Sequence, residues 1–236
     1  LRARNVKAGL RPGKAGVARA AQLGGWLFVR TISLRVAFVG ATVVATRLGT
    51  DQLAAWHVAF TVFSLLALAL DCLAIASQAL VGHQLGAGDR VCTRQVVSRT
   101  VWWGLWGGLA LGVVLAASAP LVPLIVTSDA AVRDLLVPTL LVLALAMPLG
   151  GYVFVLDGVL MGAGDGRYLA LTGVLNALVV LPLFALTLNV AEVATPSWVG
   201  LAVLQASVGV GYLGARALTL GLRVRRDRWM VLGVNA

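Results

Sequence analysis

The chain has 236 residues, 60% of them hydrophobic and only 12% charged, with a mean hydropathy of +0.94. A water-soluble domain of this length cannot hide that much apolar surface, so the composition excludes one and reads as membrane-embedded. The formal net charge of +10 would suit nucleic acid or an anionic surface, but the basic residues sit between long apolar runs, the pattern of membrane topology.

A span needs about 20 mostly apolar residues. Six segments qualify, at roughly 24–46, 53–81, 100–126, 135–161, 168–190 and 199–221. The expected fold is therefore an all-α integral membrane bundle of six helices. Residues 1–22 read as a basic linker or terminus, 23–222 as the transmembrane lobe and 223–236 as a basic tail. The chain opens on Leu1 rather than Met, which suits a fragment or one half of a larger protein.

The first span contains Arg30 and Arg35. Arg30 lies about six residues in from the basic end, or about 9 Å deep. It either pairs with an intramembrane carboxylate or snorkels to headgroups. Arg35 lies nearer the midplane, where an interior partner is expected.

The second span contains Asp71, and an acid inside a span costs roughly 2.5–3.5 kcal/mol on insertion scales. It is one of four polar residues, His57, Ser64, Asp71 and Gln78, that recur every seventh position. A helix drifts only about 20° per heptad, so the four are expected on one stripe facing other helices or a water-filled cavity. The stripe could equally be a polar packing seam. A polar stretch from His83 to Arg99 follows, either a solvated basic loop or a short amphipathic helix at the inner surface. Trp102, Trp103, Trp106 and Trp198 read as interface anchors.

The fourth span holds Pro148, Gly150 and Gly151, and the fifth holds Pro182, which mark bends or hinges. Asp157 lies late in the fourth span, close in expected depth to Asp71 and Arg30. Asn176 in the fifth span and Gln205 in the sixth could complete a polar interior.

Short cytoplasmic loops are enriched in Lys and Arg. Arg90, Arg94, Arg99, Arg167, Arg223, Arg225, Arg226, Arg228 and the basic start all fall on one side, against Arg47 and Arg133 on the other. Both termini and both Gly-Ala-Gly-Asp connections (86–89 and 162–165) are therefore expected in the cytoplasm. Enzyme motifs such as HExxH, GxSxG and CxxC are absent, so no catalytic residue, metal site or cofactor is assigned. The GAGDG string lacks a preceding strand and a Walker-type Lys, and reads as a tight turn.

The strings LAAWHVAF and LDCLAIASQALVGHQLGAGD, with VLDGVLMGAGDGRYL later, resemble the carboxy-terminal half of a MATE transporter, most closely the DinF-like branch. The resemblance implies one lobe of a twelve-helix antiporter in a bacterial plasma membrane. It further implies secondary active efflux of small organic, cationic substrates in exchange for protons or sodium. The partner would be an amino-terminal six-helix lobe, with membrane lipids around both and no nucleic acid. Asp71, Asp157, Arg30 and Arg35 become ion-coupling or gate candidates. His57, Ser64, Gln78, Asn176 and Gln205 become substrate-cavity candidates, and Pro148, Gly150, Gly151 and Pro182 hinge candidates. Alternatives are a lipid-linked saccharide flippase of the same superfamily, kept open by Arg30 and Arg35, and a truncated, non-transporting half-protein.

Overall fold

The computed structural model describes residues 14–193 and 197–233. Arg2, Arg4, Lys7 and Arg11 of the basic start lie outside them. The chain forms α1 (Lys14–Leu48), α2 (Thr50–Gly86), α3 (Arg90–Ser118), α4 (Val122–Val126), α5 (Ala130–Gly162), α6 (Gly166–Val193), α7 (Trp198–Ala206) and α8 (Leu213–Arg225). A π-helical segment, Ser207–Tyr212, joins α7 to α8, so 198–225 is one continuous span. Six of these rods are long and apolar enough to cross a membrane. Bulky apolar side chains such as Leu65, Trp103, Val113 and Leu145 stay on the outside. In water such a surface would aggregate; in a bilayer it is the lipid-facing side.

Helix α5 is the axis of the bundle and its most buried element. Its neighbours approach through small residues. Gly104, Gly108 and Gly112 of α3 recur every fourth position and lie against the backbone of Gly151, Met147 and Ala144. Gly158 and Gly162 of α5 lie against the backbone of Ala74 and Gln78 in α2. Apolar lipid gives helices no hydrophobic reason to associate, so close backbone contact through small residues supplies the attraction. Helix α1 runs alongside α6, with Gly173 against Arg30 and Ser33, and Phe184 against Gly40.

The two Gly-Ala-Gly-Asp connections fold alike. Gly88 and Gly164 adopt φ of 76° and 73°, which glycine reaches without steric cost. The N–H groups of Asp89 and Asp165 donate to the carbonyls of Gln84 (3.1 Å) and Leu160 (3.0 Å), closing both helices with the same C-terminal motif. The Asp89 carboxylate then accepts from Cys92 N–H at 2.8 Å and caps α3. As a result α3 starts at Arg90, not near 100, and the His83–Arg99 stretch is neither a loop nor a separate surface helix. It is the ends of α2 and α3 joined by a three-residue turn. Trp102, Trp103 and Trp106 consequently sit about 18–24 Å along α3 on its exposed face, well inside the helix. At the other end, Pro120 and Pro123 lack the N–H a helix interior requires, so α3 stops at Ser118 and a separate short turn follows.

The expected basic tail is also ordered differently. After Arg225 the chain folds back over the basic end of the bundle. Trp229 is buried, its Nε1 donating to the Val224 carbonyl at 3.0 Å. Gly233 N–H donates to the Leu85 carbonyl at 3.1 Å. Asp227 pairs with Arg90 (2.9 Å) and Arg94. Nearby, Arg223 donates to Asp165 at 2.7 Å and stacks over Tyr168 at 4.8 Å, tying the second Gly-Ala-Gly-Asp turn to α8. The arginines that hold Asp227 are half or more exposed, so water screens the pairs. Asp227→Asn is expected to cost less than about 1 kcal/mol, read as a small shift in thermal melting.

Candidate functional site

Helices α1, α2, α5 and α8, with Tyr212 of the π-helical segment, line a half-open cavity of about 350 Å³. Its charged lining consists of Arg30 and Arg35 from α1, Asp71 from α2, Asp157 from α5 and Arg216 from α8. Phe38, Phe60, Phe63 and Phe154 supply an apolar wall to the same space.

Asp157 is the fixed point of the site. It is only 6% exposed, because α5 runs through the middle of the bundle. Arg216, 1% exposed, grips it as a fork: Nη2 donates to Oδ1 at 2.6 Å and to Oδ2 at 2.7 Å, and Nε donates to Oδ2 at 3.2 Å. Arg30 adds a third helix to the pair, its Nη2 donating to Oδ2 at 2.9 Å. Charge-assisted bonds of this kind are the strongest hydrogen bonds a protein makes. They have to be, since removing three ions from water costs several kcal/mol each.

One carboxylate between two guanidiniums leaves the cluster with an excess positive charge. It also leaves donors without acceptors. Arg30 Nε, Arg216 Nη1 and the Tyr212 hydroxyl are buried and have no hydrogen-bond partner, at a cost of about 1–3 kcal/mol for each such group. Tyr212, the last residue of the π-helical segment, and Arg216 are four residues apart on one helix face. A π turn inserts an extra residue and rotates the face that follows, and such turns cluster at functional sites.

The sequence-predicted residues divide clearly. Arg30 reaches Asp157 rather than Asp71. Arg35, Asp71 and Ser64 line the cavity, with Arg35 and Asp71 exposed. Among the described residues neither Arg35 nor Asp71 belongs to an ion pair. His57 and Gln78 are exposed and lie away from this lining. A drift of about 20° per heptad reaches about 60° over three heptads, so the two ends of the stripe leave the face its middle occupies. Asn176 is buried in a packing contact instead, its Nδ2 donating to Thr219 Oγ1 at 3.3 Å across α6 and α8. Gln205 borders a separate apolar void of about 20 Å³ beside Phe38, Trp56 and Tyr212. Pro148, Gly150, Gly151 and Pro182 all lie within unbroken helices, and Gly151 marks the close approach to Gly104.

Arg216 is the residue that sequence reasoning passed over. It is a third arginine inside an apolar span, and depth alone would have drawn it toward Asp157. It lies near the basic end of its helix, where it blends into the run of cations that follows.

Comparison with known proteins gives this geometry a family. The MatE family model matches residues 27–186. The chain is 31% identical over 147 residues to Protein DETOXIFICATION 44, chloroplastic, of Arabidopsis thaliana, covering 62% of this chain and 28% of that protein. It is 36% identical over 81 residues to the probable multidrug resistance protein NorM of Chromobacterium violaceum, covering 34% of this chain and 17% of that one. The structure superposes on a MOP superfamily transporter from Pyrococcus furiosus with a TM-score of 0.77 at 18% identity, covering 92% of this chain and 47% of that one. Likeness at that identity concerns the fold. The chain spans about half the length of the solved transporter and less of the curated relatives.

Proposed function

Because the chain belongs to the MatE family of multi-pass membrane transporters, we propose that it forms one lobe of a secondary exporter. In this reading it moves small organic compounds by alternating access, in exchange for protons or sodium. A second six-helix lobe would complete the cavity. The basic end, with Arg90, Arg94 and Arg223, would face the cytoplasm of a bacterium, following the rule that short inner loops carry the cations.

The observation that carries this reading is the contrast between the two acids. Asp157 is locked by two arginines and suits a fixed anchor holding α1, α5 and α8 together. Asp71 stands exposed on the wall of the same cavity, free of any ion pair among the described residues. A group that couples ion movement to shape must be reachable and must change its interactions between the two states. Asp71 meets the first condition, and an acid within a span is a functional candidate by default. Its own helix packs tightly on α5 through Gly158 and Gly162, so a change of charge at Asp71 would be felt by the anchor helix.

The test uses the intact protein in proteoliposomes with an imposed proton or sodium gradient and a fluorescent organic dye as cargo. Asp71→Asn is expected to slow gradient-driven efflux more than about tenfold, the size of one lost functional interaction, with unchanged melting. Efflux at the parent rate would remove Asp71 from the coupling step. The flippase alternative draws on Arg30, Arg35 and Arg216. It predicts gradient-independent movement of a lipid-linked saccharide and no dye efflux.

A further inference from the structure

We propose that the basic end of the lobe carries a binding cleft for the headgroup of an anionic glycerophospholipid, built where the chain folds back after α8. The cleft is separate from the cavity that holds Asp71 and Asp157, and the inference is independent of what that cavity carries.

The fold-back makes the cleft. The Val224 carbonyl accepts from Trp229 Nε1 at 3.0 Å, and the Leu85 carbonyl accepts from Gly233 N–H at 3.1 Å. These bonds bring the segment after α8 across to the joined ends of α2 and α3. An open cleft of about 230 Å³ results. Its apolar lining is Val97, Val224, Trp229 and Met230, all buried or half-buried, and its charged lining is Arg94, Arg225 and Asp227. A single water needs only about 10–15 Å³ of such space, so a phosphodiester group enters it.

Charge selects the headgroup. Asp227, the one acid in the lining, is already shared by Arg90 and Arg94. Arg225 is exposed and belongs to no ion pair among the described residues. Two further acids at this end are engaged elsewhere: Asp89 caps α3 and Asp165 holds Arg223. Arg226 and Arg228, both exposed, add to the positive field. An anion that meets Arg94 and Arg225 together joins the start of α3 to the end of α8. A phosphodiester presents the forked oxygens that a guanidinium matches. The ammonium of a zwitterionic headgroup would oppose the same cations.

Position selects a lipid as the carrier of that phosphate. Tryptophans concentrate at the headgroup level of a membrane, and Trp102, Trp103 and Trp106 stand on the exposed face of α3. Arg94 lies eight residues nearer the basic end than Trp102, or about 12 Å along the helix. The cleft therefore opens just outside the aromatic belt, and long arginine side chains extend back toward the interface. Basic pockets between helices at this level suit anionic headgroups. A soluble phosphate would meet the arginines and leave the apolar lining wet, whereas the glycerol and first methylenes of a lipid cover it.

The experiment titrates the intact protein in a mild non-ionic detergent with phosphatidylglycerol or phosphatidylcholine, and counts bound lipids by native mass spectrometry. The first phosphatidylglycerol is expected to bind at least about fivefold more tightly than the first phosphatidylcholine. Arg225→Gln breaks no ion pair and is expected to weaken that phosphatidylglycerol about fivefold, the contribution of one cation near the membrane surface. Arg167 is the control, exposed at the same end but outside the cleft; Arg167→Gln is expected to keep parental affinity within about twofold. Equal binding of the two lipids, or parental affinity in Arg225→Gln, would overturn the proposal. Equal losses in both variants would do so as well, since they would mean diffuse attraction to the whole basic end rather than a site. Glycerophosphoglycerol, the same headgroup without its chains, and hexaglutamate are added as competitors at the lipid concentration. Neither is expected to displace the lipid. Displacement by the first would make the cleft a site for a soluble phosphodiester, and by the second a site for an acidic peptide; either result overturns the assignment to lipid.

Discussion

Asp157→Ala is expected to cost the intact protein about 3–5 kcal/mol, the loss typical of removing one partner from a buried ion pair. Two guanidiniums, one of them 1% exposed, would then face each other with no carboxylate between them. Proteins keep only about 5–15 kcal/mol of stability, so a large fall in melting temperature and in folded yield should follow. Asp157→Asn should lose less, because its amide oxygen still accepts from Arg216. The informative companion is the triple replacement Arg30→Leu, Asp157→Leu, Arg216→Met, which removes all three charges together. Apolar groups of similar volume often match or exceed a buried ion pair in stability, so this variant should melt near the parent while losing ligand binding. If Asp157→Ala melts with the parent, the cluster does not anchor α1, α5 and α8 as described. The same comparison separates stability from function, which single substitutions at this site would confuse.

Gly151→Leu is expected to be the second severe change, costing about 3 kcal/mol or more, at or beyond the upper end for overpacking. A Cβ at Gly151 would overlap the backbone carbonyl of Gly104, and a backbone inside a helix cannot swing aside as a side chain can. The helices must separate, and α5 would lose its contact with α3 along three successive turns. Gly104→Leu attacks the same contact from the other side. The two should be far from additive when combined, since the first has already opened the interface that the second needs closed. Gly214→Ala is the control: nothing lies within 4 Å of its added carbon, and alanine in a helix interior is favoured over glycine by about 0.5–1 kcal/mol. Thermal melting of the four variants in one detergent checks the series; a Gly151→Leu protein melting within a degree or so of the parent would contradict the close packing of α3 and α5.

Glycine spacing of this kind was present in the chain all along. Gly104, Gly108 and Gly112 recur at intervals of four, the small-residue pattern of membrane helix contacts. Gly150 and Gly151 beside Pro148 suit a hinge by residue type; α5 is helical through them, and Gly151 also lies against the Gly104 backbone. A proline leaves one carbonyl without its helical partner, and in a membrane neighbouring helices, side chains or local adjustments of the turn re-satisfy it. A π-helical departure from regular α-helix lies in the sixth span, at Ser207–Tyr212, where no proline announces it.

Hydropathy and length were enough to establish six apolar helices, because a bilayer demands that every backbone group be satisfied within the rod. Turn chemistry was equally local: Gly88 and Gly164 supply the left-handed residue that closes α2 and α5. Depth was legible too, since rise per residue is constant, and it placed Arg30 level with both Asp71 and Asp157. It could not choose between them. Which acid an arginine meets depends on the direction each helix face points around the bundle, and that is settled only when the helices pack so that Arg30 of α1 and Arg216 of α8 both reach Asp157 of α5. The same rotation brings Arg216 to Asp157, leaves Asp71 open to the cavity, and turns His57 and Gln78 away from it. Sequence spacing measures height along one helix, whereas the site is assembled from the mutual rotation of four, fixed by glycine contacts between residues distant in the chain.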